Sequence, residues 1–151
     1  MEEISGEWTR SDNSAAGCQW NDSYNNPQFL VTVTHACEVT VVSSLAYEMD
    51  PSTGTFKDDG REEASGIAVY KPRILRGTGE NRTRKCNQRL SHSDQIAESS
   101  YSYLRDSTIT FTLYGGGEAV LVPAMFRKGI ENKFIIRVYT SDGKSSLKRL
   151  T

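Results

Sequence analysis

The sequence holds no apolar run near the ~20 residues that a membrane-spanning helix needs. Histidine is scarce, with only His35 and His92, and cysteine is limited to Cys18, Cys37 and Cys86. An odd number of widely spaced cysteines reads as free thiols in a reducing compartment, not as a disulfide frame. Net charge is nearly absent, at -1. A dedicated nucleic-acid binder carries a strong basic excess, so no nucleic-acid partner is expected. The N-terminus, Met1-Glu2-Glu3-Ile4, is acidic where a secretory leader is basic, and no apolar stretch follows it. The expectation is an intracellular, cytoplasmic protein, and the sequons at Asn21 and Asn81 are read as chance. There is no internal repeat and no low-complexity tract.

Catalytic signals are equally thin. A cysteine nucleophile needs an imidazole and a group to orient it. His35 and Cys37 stand two apart, but no papain-like motif surrounds any of the cysteines. The same pair falls short of the four ligands of a structural zinc site. No catalytic residue is assigned, and the chain alone is read as a non-enzyme.

What the sequence does have is period-two alternation. Its 151 residues suit one domain, 1–151, able to bury roughly 70% of the surface of its unfolded chain. Ile109, Phe111 and Leu113 alternate with Thr108, Thr110 and Thr112. Phe134, Ile136 and Val138 alternate with Ile135, Arg137 and Tyr139, and Phe29, Val31 and Val33 with Leu30, Thr32 and Thr34. Runs at Val39–Leu45, Ile67–Tyr70 and Ala119–Val122 are also rich in strand formers. Successive strand side chains point to opposite faces, so these patterns predict half-buried strands, each with one wet face. Pro123 is expected to end a strand at a sheet edge, and Gly115-Gly116-Gly117 to supply the positive φ angles of a hairpin. Only 91–104 suits either a helical turn or a strand. Many short strands with polar turns between them predict two sheets packed face to face.

Charge is segregated. Residues 46–64 carry Asp50, Asp58, Asp59, Glu62 and Glu63, carboxylates of the kind that calcium collects in sets of six to eight oxygens. Residues 71–89 carry Lys71, Arg73, Arg76, Arg82, Arg84, Lys85 and Arg89, a candidate surface for anionic phospholipid or for docking a neighbouring domain. The acidic and basic segments could also latch to each other, a contact that salt would loosen.

Five words of the sequence, in order, resemble domain III of calpain-type cysteine proteases. They are Gly6-Glu7-Trp8-Thr9 with Ala16-Gly17-Cys18, Asn26-Pro27-Gln28 leading into Phe29-Leu30-Val31, Gly66-Ile67-Ala68-Val69-Tyr70, Gly117 to Phe126, and Asn132 to Tyr139. The resemblance implies an all-β, antiparallel, eight-stranded C2-like sandwich that is not itself the protease. It implies a papain-like core in the same polypeptide, against which the domain packs and to which it passes calcium or membrane signals. No cofactor is required by that role, and calcium is the one that the carboxylates suggest. The sequence departs from the family at His35-Ala36-Cys37-Glu38, a short connection where conventional calpains carry a very acidic loop. Trp8 is read as a plug at one end of the sandwich, and Asn26-Pro27-Gln28 as a turn that sets strand register. The alternative is a free-standing adaptor that binds protein partners through a strand edge or loops.

Overall fold

The computed structural model describes residues 1–46, 52, 63–75, 83–141 and 143–151. Nine strands are present among them: β1 (Glu2–Trp8), β2 (Phe29–Val33), β3 (Cys37–Leu45), β4 (Ser65–Tyr70), β5 (Gln95–Glu98), β6 (Asp106–Leu113), β7 (Glu118–Met125), β8 (Asn132–Thr140) and β9 (Ser145–Arg149). They form two antiparallel sheets in the orders β1-β8-β3-β6 and β5-β4-β7-β2-β9. Helical structure among the described residues is limited to short 3-10 turns such as Ser23–Asn25, Pro72–Ile74 and His92–Asp94.

The alternation read from the sequence sets which faces meet. On β6, Ser107, Ile109, Phe111 and Leu113 are buried and the threonines between them exposed. On β8, Phe134, Ile136 and Val138 are buried. These side chains meet Phe29, Val31, Val33, Ile67, Val69 and Leu121 from the other sheet in one core. Burying each such side chain contributes roughly 1.5–3 kcal/mol. Trp8 closes the core as expected, with its ring 4.4 Å from that of Phe134.

Nine strands stand where eight were expected, and β5 and β9 are the edges of the five-stranded sheet. The segment read as turn or strand resolves into both, a 3-10 turn at His92–Asp94 followed by β5. Pro123 does not end a strand: β7 runs through it to Met125, in the interior of the sheet. Its partner on β4 is Ile67, whose own N–H and C=O face away, towards Ser99. Pro123 therefore turns its backbone to the β2 side, and β2 pairs with β7 no further than Phe29 and Leu121. A missing N–H costs no ladder bond there, and the Trp8 indole N–H donates to the Pro123 carbonyl at 3.1 Å. In the glycine hairpin, only Gly116 has positive φ, at 68°.

The larger correction concerns the five-stranded sheet, which is covered on both faces. Its outward-facing Leu30, Val120 and Val122 form a second cluster with Leu75 and Leu150, against which Tyr70, Ile74 and Leu90 pack. The basic segment is thus partly a lid of apolar residues. Gln28 fixes the Cys86 end of that lid. Its buried amide donates to Tyr24 O at 2.7 Å and Cys86 O at 3.0 Å, and accepts from the Cys86 N–H at 2.9 Å.

Candidate functional site

The basic run divides into parts. Lys71 is exposed at the end of β4, and Arg73 is engaged by the Asp94 carboxylate. Arg76 and Arg82 lie outside the described residues. Arg84 and Lys85 lie alongside the last residues of the chain, where Thr151 N donates to Thr83 O at 2.7 Å and Lys85 N to Thr151 O at 3.4 Å. Lys85 Nζ donates to Asn25 O at 3.0 Å. Burial, and then the charge of Arg149, hold the Lys85 ammonium below its usual pKa. Exposed Arg149, not singled out in the sequence, therefore joins Arg84 and Lys85 in one cationic corner at the β9 edge, while exposed Lys148 projects from the opposite face of β9. The pairing of β9 with β2 and the Gln28–Cys86 bonds hold its backbone.

The carboxylates proposed for calcium do not meet within the described residues. Asp50, Asp58, Asp59 and Glu62 lie outside them. Glu63 lies within, ion-paired to Arg127. No group of three or more His, Cys, Asp or Glu residues placed to hold a metal occurs among the described residues. Cys37 is buried in the core between the sheets, whereas the His35 ring is exposed with Nδ1 3.0 Å from Thr34 Oγ1.

A pocket of about 460 Å³ opens on the outer face of the five-stranded sheet, over β5, β4 and β7. Small outward side chains, Ala68, Val122 and Ala124, leave the space. Gly66 gives Tyr101 its seat: a Cβ there would lie 2.9 Å from the Tyr101 ring and 3.1 Å from Ser99 Oγ. The Tyr101 ring meets Phe126 edge-on at 5.8 Å, and the Cys18 thiol beside it donates to Phe126 O at 3.6 Å. Gly17, at φ 71°, carries the chain against the Arg127–Lys128 backbone, closer than any side chain would allow, and so delivers Cys18 and Trp20 to the rim. Trp20 is 57% exposed. Burial, and then the Glu98 charge, push the Tyr70 hydroxyl up to about 12. Tyr101 and Cys18 are also raised, first by burial, with Glu98 contributing to each.

Sequence reasoning missed this pocket because its walls come from four distant stretches, 18–26, 68–70, 89–101 and 122–126. The only signal was the pair Gly66 and Tyr101, which no local pattern links.

Two antiparallel sheets with loop-borne surface features define a β-sandwich domain of the C2-like class. A family model described as calpain large subunit, domain III, matches residues 4–139, and the chain belongs to that family. It is 30% identical over 148 residues to calpain clp-1 of Caenorhabditis elegans, an alignment that covers 90% of this chain and 17% of that protein. The chain thus spans about a sixth of the length of this curated relative. No helix among the described residues is long and apolar enough to cross a membrane.

Proposed function

We propose that this chain is the non-catalytic docking domain of a cytoplasmic calpain-type cysteine protease. It packs against a papain-like core in the same polypeptide and meets anionic phospholipid through the corner formed by Arg84, Lys85 and Arg149. Membership of the domain III family supports the first part. The observation that carries the second is the rigid edge that sets Arg84 and Lys85 beside the β9 end, with Thr151 N donating to Thr83 O at 2.7 Å; burial first and then the Arg149 charge lower the Lys85 pKa, and Asp12 acts the other way. A cluster in which cations repel one another is stabilised by an incoming anion, and each basic group near an anionic bilayer contributes about 1 kcal/mol.

Vesicle sedimentation tests the reading, with phosphatidylserine-rich and neutral vesicles, with and without calcium. Wild type is expected to pellet with the anionic vesicles only. The pair Arg84→Glu and Arg149→Glu should weaken that binding roughly tenfold or more, while the thermal melt stays close to wild type because both side chains are exposed. Equal sedimentation by both proteins removes the corner from the function. A calcium requirement would assign the Asp50, Asp58, Asp59 and Glu62 segment a part in lipid contact.

A further inference from the structure

The pocket towards the opposite edge of the same sheet has no counterpart in this lipid reading, and its chemistry differs from that of the basic corner. Glu98 sits at its rim on the edge strand β5, and the Gln95 amide donates to its carboxylate at 2.7 Å. It forms no ion pair among the described residues, although Arg89 and His92 line the same pocket; the His92 ring is 2.9 Å from Gln95 Oε1. Burial is the first cause that raises Tyr70, Tyr101 and Cys18; Glu98 adds to all three, and the Cys18 thiol adds to the two tyrosines, more than Glu98 does at Tyr101. Glu98 is thus the only carboxylate in the pocket lining, with no ion pair to Arg89, and it stands over an aromatic interior. Aromatic faces attract cations within about 6 Å. Trp20 already shows this on the structure: Lys128 Nζ stands 6.0 Å from its ring centroid while ion-paired to Asp22 at 2.6 Å.

We propose that this pocket receives the basic side chain of a peptide segment, an arginine or lysine, with Glu98 as its counter-ion and Trp20, Tyr101 and Phe126 as its aromatic walls. A peptide, not a free small cation, is the occupant for two reasons. The volume of about 460 Å³ falls within the roughly 300–1,000 Å³ of ligand pockets and leaves room for the residues flanking the side chain. The counter-ion also stands on an edge strand, whose backbone groups suit an extended chain laid beside it. The site extends the docking role to a second surface and does not depend on lipid binding.

Tryptophan fluorescence gives a direct test on this 151-residue chain, because Trp8 is buried and Trp20 is exposed. The probes are blocked tripeptides, acetyl-Gly-X-Gly-amide, with X as arginine, lysine or the uncharged arginine isostere citrulline. The arginine or lysine probe should change Trp20 emission saturably, with the citrulline probe at least tenfold weaker. Glu98→Gln should weaken the charged probes at least tenfold and leave the citrulline probe unchanged. Because Glu98 is exposed, its variant is expected to melt with wild type, and Glu131→Gln serves as a control carboxylate with no effect. Citrulline binding as tightly as arginine, no saturable change with either cation, or full affinity in Glu98→Gln would each overturn the proposal. None of these outcomes depends on vesicle sedimentation, so the two readings fail separately.

Discussion

Gly66 lies where a side chain would have no room. A methyl group there would come within 2.9 Å of the Tyr101 ring, and moving Ser99 aside would disturb the bond its hydroxyl accepts from Ile67 N at 2.9 Å. Overpacking of this kind costs about 1–3 kcal/mol. For a domain of this size, that lowers Tm by roughly 3–10 °C. Gly66→Ala should show such a loss, together with a shifted Tyr101 ring resonance. The cost should shrink in a Tyr101→Ala background, because the clash is with that ring. A Gly66→Ala melt that matches wild type, or an equal cost in both backgrounds, would show that Tyr101 is not seated by the glycine.

Legibility varied from element to element. β6 could be read directly, because threonine and apolar residues alternate over the whole of Asp106–Leu113 and one face is wet. β2 and β7 were read as strands but misjudged in burial: Leu30, Val120 and Val122 are apolar on the face expected to be solvated. Their cover comes from Leu75 and Leu150, far away in sequence and on segments that look polar. β9, Ser145–Arg149, has Leu147 as its only apolar residue, and an edge strand paired on one side needs no more. The pocket was illegible for a related reason, since no single stretch of sequence contains its walls. Asn26-Pro27-Gln28 was legible as a turn, but the larger role of Gln28 depends on Cys86, 58 residues away. Gln28→Leu would leave the Cys86 N–H and C=O unpaired in a buried site, at about 1–3 kcal/mol for each such group. The expected outcome is a lower urea midpoint and faster tryptic cleavage after Arg84, Lys85 or Arg89. An unchanged midpoint with unchanged cleavage would mean that the apolar cluster alone holds the segment.

At the scale of the molecule, one sheet presents two opposite electrostatic surfaces at its two edges. Glu98 stands on β5 and Lys148 and Arg149 on β9, with β4, β7 and β2 between them. Four strand spacings of about 4.8 Å separate these edges by roughly 19 Å. In water, two unit charges at that distance interact by about 0.2 kcal/mol before screening, and the Debye length is only about 8 Å at physiological salt. The two surfaces should therefore act independently. Arg84→Glu with Arg149→Glu changes the corner by four charge units, yet at physiological salt it should alter arginine-peptide affinity at the pocket by less than about 1.5-fold. At 10 mM salt, where the Debye length is about 30 Å, the same pair should tighten that binding by roughly twofold, because a more negative corner attracts the cation. Fluorescence titration of the double variant at both salt concentrations checks the sign and the size together. A change above fivefold at physiological salt is more than Coulomb interaction across the sheet can supply. It would mean that Cys86 to Leu90, tied to Gln28, move as one piece and carry a signal from one edge to the other.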